Sequence, residues 1–269
     1  PPTHPELLDW LASEFMRTGW DTKGLVRLIV TSRTYRQDSR VTPELLELDP
    51  ENKLLARGSR LRLDAEVLRD QALLFGGLLR SEMGGPPVKP YQPVNVWEPV
   101  AFAGSNTMNY KQDKGDALYR RSLYSFWKRT APAPAMVTFD APSRENFCLA
   151  RPRSNTPLQA LALMNDVQQF EAARAFAERL LKRSGQESER LAYAFRSVTA
   201  REAEPDELRV VAGALAQHRA HFESRPEVAA QTVANGESKP SGKLPVTELA
   251  AWTMVTNLLM NLDEAVNRN

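Results

Sequence analysis

The sequence predicts a mainly α fold, two helical blocks around a loop-rich middle segment with room for a few short β-strands, and three observations predict it. Apolar residues recur at helical spacing behind N-cap signals in residues 1–83 and again in 156–269. Between them, nine prolines in residues 84–155, together with Gly84-Gly85, repeatedly forbid helix continuation. The 269 residues are 42% apolar and 25% charged, the composition of an ordinary globular chain. They are expected to form a single compact unit over 1–269, large enough to hold a core without metal or cross-links. Cys148 is the one cysteine, so no disulfide forms within the chain.

In the first block, Thr3-His4-Pro5-Glu6 reads as a capping box, followed by Leu7, Leu8, Leu11 and Phe15 at helical spacing and a stop at Gly19. Asp21 is placed to cap a second helix carrying Leu25, Leu28 and Ile29. Thr42-Pro43 and Asp49-Pro50 supply two more cap-plus-proline starts. Leu68, Ala72, Phe75 and Leu79 share a face in a helix expected over 64–83. In the middle, 95–102, 119–127 and 135–139 are aromatic and β-branched enough for short strands, with 119–127 equally suited to a helical turn or two. In the last block Thr156-Pro157-Leu158-Gln159 combines an N-cap, a proline at the first helical position and a capping-box Gln, opening a helix to about 183. Further helices are expected over 187–199, 205–223 and 247–266, with a mobile polar loop at about 224–245 containing Gly236, Pro240, Ser241 and Gly242.

Thirty-five Lys and Arg against 33 Asp and Glu give a net charge of +2, which offers no electrostatic case for nucleic acid or an acidic membrane. No run of about 18 apolar residues occurs, so no membrane span is expected here. The opening Pro1-Pro2-Thr3 lacks an initiator methionine and is expected to be a processing boundary, which leaves localisation unread. There is no phosphate-binding glycine loop, no Gly-x-Ser-x-Gly elbow and no paired-cysteine spacing. His218 and His221 lie at i and i+3 without a completing ligand, so no metal site is expected, and His4 belongs to a helix cap.

The richest polar segment runs from Phe139 to Asp166. Arg144, Arg151, Arg153, Asn155, Thr156 and Gln159 gather before a helix N-terminus, whose free amides and partial positive charge suit a carboxylate, sulfate or phosphate. The other reading is a structural polar network, in which the arginines pair with Asp140, Glu145 or Asp166 and staple the loop to the core. On the helix expected to follow, Asn165 and Gln169 fall within the apolar arc of Leu158, Leu161, Ala162, Ala172, Ala173, Phe176 and Leu180, where buried amides require partners. Tyr110, Tyr119, Tyr124, Phe126 and Trp127 interleave with Lys111, Arg120, Arg121, Lys128 and Arg129, a texture that suits sugar stacking or plain packing under outward cations.

Several strings appear in order: His4-Pro5-Glu6-Leu7-Leu8-Asp9-Trp10-Leu11-Ala12, Gly19-Trp20-Asp21, Ser32-Arg33-Thr34-Tyr35-Arg36-Gln37, Arg120-Arg121-Ser122-Leu123-Tyr124, Phe139-Asp140-Ala141-Pro142, Asn155-Thr156-Pro157-Leu158-Gln159-Ala160-Leu161, Asn165-Asp166 and Asn261-Leu262-Asp263-Glu264. Together they resemble the planctomycete-type domain of unknown function DUF1553, PSD-1 type. That resemblance implies the C-terminal part of a large exported, extracytoplasmic protein, behind another domain of unknown function and often a cytochrome c-like domain, sometimes with a sugar-binding insert. It carries over no catalytic residue. Haem c would belong to the full-length protein, since no Cys-x-x-Cys-His is present here and no cofactor is expected on these residues. The expected function is a non-catalytic interaction or scaffold module docking against the preceding domain. The alternative is an enzyme or ligand-binding domain for complex polysaccharide or an anionic ligand, using the arginine-rich segment 140–166.

Overall fold

The computed structural model describes residues 2–105 and 107–268, and among them twelve α-helices and one pairing of two-residue strands, β1 (Leu61–Arg62) with β2 (Asn267–Arg268). By packing, the chain divides into residues 2–61 with 267–268, and residues 62–266. The helical block expected over 1–83 is therefore shared between two units.

The first unit holds α1 (Pro5–Arg17), α2 (Thr22–Thr31) and α3 (Pro43–Leu48). With Pro5 at the first helical position, the N-cap is His4, so the Thr3 hydroxyl comes one residue too early and the Thr3-Glu6 box does not form. The His4 ring instead donates from Nε2 to the Lys53 carbonyl at 2.7 Å. The stop at Gly19 forms as expected, with Gly19 and Trp20 both left-handed at φ 71° and 64°. Asp21 and Thr42 cap α2 and α3, accepting from the Gly24 and Leu45 amides at 3.0 and 3.2 Å. Asp49 starts no helix. It ends α3, and its buried carboxylate takes the Lys53 and Leu54 amides, both at 2.7 Å.

In the second unit α4 (Ala65–Gly76) stops earlier than expected, because Gly77 takes the left-handed conformation at φ 69° and closes the helix. The strands expected over 95–102 and 135–139 do not form, and 119–127 takes its helical-turn alternative, with a 3-10 turn at Ser122–Tyr124. The middle segment holds 3-10 turns at Glu98–Val100, Gly115–Tyr119 and Ser122–Tyr124 and the short α5 (Pro134–Val137), plus isolated bridges Arg80 to Arg120 and Val88 to Ser125. Its prolines deny a ladder the run of amide donors it needs, and Pro99 and Pro134 open helical turns instead.

The helix expected from 157 to 183 is two helices, α6 (Pro157–Asn165) and α7 (Val167–Lys182), broken at Asp166. Its backbone is extended, and Oδ1 accepts from the Gln168 and Gln169 amides at 2.9 and 3.1 Å, a new N-cap inside a continuous apolar pattern. The break reassigns the faces. Leu158 and Leu161 are exposed, as is Asn165, whose amide donates to the Leu161 carbonyl at 2.9 Å; the buried amides are Gln159 and Gln168.

The remaining helices are α8 (Glu187–Thr199), α9 (Pro205–Glu223), α10 (Pro226–Val233), α11 (Val246–Met260) and α12 (Asp263–Val266). The region expected as a mobile loop thus contains α10, where burial of Ala229 and Val233, one turn apart, overrides a polar composition. Helix α11 is the hub, packed against α7, α9 and α10, and buried residues surround it on every side. Small residues at Ala172, Ala173, Ala250 and Ala251 let α7 and α11 approach closely enough for the Thr256 hydroxyl to donate to the Ala173 carbonyl at 2.8 Å. No helix among the described residues is long and apolar enough to cross a membrane.

Burial holds the Asp166 carboxyl above its ordinary value, the two amides and Arg69 only partly opposing it. A carboxyl with a raised folded-state value favours folding in its protonated form and loses that contribution as the pH climbs through the raised value. An Asn can cap the helix without the charge. Asp166→Asn should therefore match or exceed the parent in stability at pH 7, with the gap closing in acid, whereas Asp166→Ala should lose about 1 kcal/mol with the cap. Urea unfolding at the two pH values measures both.

Candidate functional site

Helix α4 buries the face carrying Ala65, Leu68, Ala72 and Leu73, and Arg69 is drawn into the same face beside Leu68. Its guanidinium donates to Gln168 Oε1 at 2.6 Å, the Arg120 carbonyl at 2.8 Å, Ser122 Oγ at 3.1 Å and the Leu118 carbonyl at 2.7 Å. Asp70 completes the cluster, accepting from the Ser122 amide and hydroxyl at 2.7 Å each. Burial lowers Arg69 to about 10 against the pull of Asp70 and Asp166. Next to it lies an apolar cavity of about 50 Å³, bordered by Leu68, Met136, Phe139, Leu163 and Asp166.

A second cluster lines one face of α7, where Glu171, Arg174 and Glu178 recur at i, i+3 and i+7 and are all buried. Residues 236–241 lie across them as a strap. Glu171 Oε1 accepts from the Tyr119 hydroxyl at 2.9 Å and the Ser238 amide at 2.6 Å. Arg174 donates to the Ser238 carbonyl and hydroxyl at 2.7 and 2.5 Å, and Glu178 accepts from Lys182 at 2.6 Å and from the Ser241 amide at 3.2 Å. The Glu237 amide donates to the Tyr91 hydroxyl at 2.6 Å. Gly236 is required here: at φ 85° it approaches so closely that a Cβ would stand 2.4 Å from Glu171 Cδ. Burial, reinforced by the Glu171 charge, pushes the Tyr119 phenol up to about 12 and raises Tyr91 as well.

The residues singled out in the sequence do not converge on one point. Arg151 makes a bidentate pair with Glu66 at 2.7 and 3.2 Å and stands 3.8 Å from Asp64, which Arg153 also faces at 3.8 Å. The Arg144 guanidinium covers the Trp127 ring at 4.5 Å. Asp140 is occupied elsewhere, accepting from the Ser154 amide and hydroxyl at 2.7 and 2.8 Å. Thr156 and Gln159 form the expected capping box, and the buried Gln159 amide also donates to the Thr138 carbonyl at 2.9 Å and Ser154 Oγ at 3.0 Å. Asn155 and Glu145 are exposed, and Asp166 caps α7. The acids facing Arg151 and Arg153 are thus Asp64 and Glu66 at the start of α4, not Asp140, Glu145 or Asp166.

Several ring faces in the aromatic segment are covered by the chain's own cations: Lys128 over Trp97 at 5.1 Å, Lys89 over Phe126 at 5.4 Å and Arg120 over Tyr124 at 3.9 Å. Among the described residues no group of three or more His, Cys, Asp or Glu is arranged to hold a metal, and His221 packs edge-on against Phe222 at 5.2 Å. Cys148 is exposed, with neither the second thiol nor the histidine that covalent haem attachment requires, so this chain does not fit haem c.

The profile of one family, PSD1, a protein of unknown function (DUF1553), matches residues 1–215, which includes both polar clusters and the 140–166 segment but neither the end of α9, with His218 and His221, nor the 236–241 strap and the helices after α9. The Asn261-Leu262-Asp263-Glu264 string lies outside the match. No curated protein and no solved structure matches the chain.

Burial is the largest single influence on the Glu66 carboxyl and would raise it, but the Arg151 hydrogen bonds, the Glu66 amide and the charges of Arg151 and Arg144 together hold it below its ordinary value. A depressed carboxylate contributes stability above its unfolded value and loses it as the pH falls through the folded one. Arg151→Ala should therefore cost about 1 kcal/mol at pH 7, a figure discounted because the pair is partly solvated, and progressively less in acid. Arg153→Ala should stay within about 0.5 kcal/mol of the parent. Thermal melts with and without sulfate complete the test: sulfate that stabilises the parent but not Arg153→Ala would restore the anion-receptor reading.

Proposed function

Since the chain belongs to the PSD1 family of proteins of unknown function (DUF1553), kinship supplies no activity, and we propose from the structure that it is a non-catalytic interaction module. It serves as the docking part of a larger exported polypeptide whose c-type haem, where present, sits in another domain. The observation that carries this reading is the apolar surface of the first unit. No residue of α1, α2 or α3 is buried, while Leu8, Trp10, Met16, Trp20 and Val26 are each more than half exposed. Burying one such side chain fully is worth roughly 1.5 to 3 kcal/mol, so surface of this kind is a reservoir for association.

The polar clusters of the second unit support the same reading. Arg69, Glu171, Arg174 and Glu178 spend their hydrogen bonds on backbone carbonyls, amides and each other, the pattern of a structural network rather than of groups held ready for a substrate. A receptor for polysaccharide or an anion at 140–166 has less support, because Arg151 is engaged by Glu66 and Arg144 by Trp127.

The test is to titrate the purified chain with the separately produced remainder of its natural polypeptide. Association at micromolar or tighter affinity is expected, and Leu8→Asp with Trp10→Asp should weaken it about tenfold or more while leaving the melting temperature unchanged. A chain that ignores the remainder and stays monomeric at high concentration would count against docking.

A further inference from the structure

We propose that α2 is the element that enters the partner, and that the partner is a protein surface offering an apolar groove rimmed by carboxylates. The proposal rests on the docking reading above and names the chemistry of what docks.

At 100° per residue, Leu25, Val26, Leu28, Ile29 and Val30 spread over one broad arc of α2, while Lys23 and Arg27, one turn apart, lie on the other. Four of those apolar residues, Val26, Leu28, Ile29 and Val30, are exposed at 53%, 40%, 37% and 39%. Arg33 and Arg36 continue the positive charge just past the helix, and no Asp or Glu occurs between Asp21 and Asp38. Among the described residues none of Lys23, Arg27, Arg33 and Arg36 forms an ion pair. Asp38 is paired with Arg40, Glu14 with Arg17 and Glu51 with Lys53, each at 2.6 Å, and Asp21 serves the α2 cap, while Glu6, Asp9, Glu44 and Glu47 form no ion pair among the described residues and none of these acids answers the α2 cations. Four unspent cations thus border an unpartnered apolar helix face in a chain whose whole net charge is +2.

An apolar face edged with cations is complementary to an apolar groove edged with anions, the helix-in-groove mode in which the groove supplies affinity and the rim sets register and encounter rate. A protein groove fits better than an anionic bilayer. In the same unit α1 sets Glu6 and Asp9 beside the exposed Leu7, Leu8 and Trp10, and those carboxylates would be repelled by a negatively charged lipid surface.

The experiment titrates the chain with an amphipathic helical peptide of leucines flanked by glutamates, and with the same peptide carrying lysines in place of the glutamates. The glutamate peptide should bind, weaken about tenfold between low and moderate salt, and lose binding to Lys23→Glu/Arg27→Glu. A second variant, Arg33→Glu/Arg36→Glu, lies outside the helix and should also weaken binding, which separates lost charge from lost fold. Equal binding of both peptides, or salt-insensitive binding, overturns the proposal. So does binding to phosphatidylserine-containing vesicles without binding to the peptide, or a dimer that the charge reversals dissociate, which would make the occupant a second copy. Failure here with persisting association to the natural remainder would leave the docking reading standing and remove only the role of α2.

Discussion

A guanidinium buried without partners is costly, and a proline-rich segment that forms neither helix nor sheet leaves carbonyls without donors. Arg69 resolves both problems at once. From the buried face of α4 it reaches the Leu118 and Arg120 carbonyls and Ser122, and through Gln168 it ties the same turns to α7. The device recurs at three other places where the chain leaves regular structure. Arg120 donates to the Pro86, Glu82 and Gly84 carbonyls, Arg179 to those of Leu74 and Phe75 at the end of α4, and Arg57 to those of Asp49 and Pro50 after α3. Arginine suits this work because its fixed fork of five donors satisfies several acceptors at one entropic cost. Four arginines are thereby used as backbone support.

What could be read in the sequence was local. Asp21, Thr42 and Thr156 cap helices because a short polar side chain three residues before a free amide is sufficient cause, and α8 and α9 occupy the ranges their periodicity predicts. Asp166 was harder, since the apolar pattern runs on through it and the break comes from its own carboxylate taking two amides. The partners of Arg151 lay beyond local reasoning altogether, because Glu66 is 85 residues away and nothing in 140–166 points to it. Glu171, Arg174 and Glu178 are not singled out in the sequence, because the strap that covers them lies in a stretch whose Gly236 signals only a loop.

The strap also explains why a polar segment became ordered. Ser238 and Ser241 present amides to the carboxylates of α7, so the desolvation of those acids is compensated by main-chain donors that would otherwise have faced water. Neither partner is a strong structural signal by itself. Hydrophobic pattern alone would have left 224–245 free, yet α10 supplies Ala229 and Val233 to the core, and the strap that follows has the α7 charges to settle on.

The first unit achieves order by the opposite route. Its elements are held by end groups: the Asp21 and Thr42 caps, the Thr18 hydroxyl on the Glu14 and Phe15 carbonyls, and the Asp49 carboxylate on two amides. Each such contact is worth about a kilocalorie and fixes direction without consuming a side-chain face. Helices defined in this way keep their apolar arcs available, whereas α11, defined by burial, has none to spare. Short helices that rely on caps are marginal in water, because most helical stability comes from packing an amphipathic face. The arcs of α1 and α2 are therefore apolar surface the unit leaves unspent, and in the docking proposed above their burial against a partner would couple association to folding of this unit.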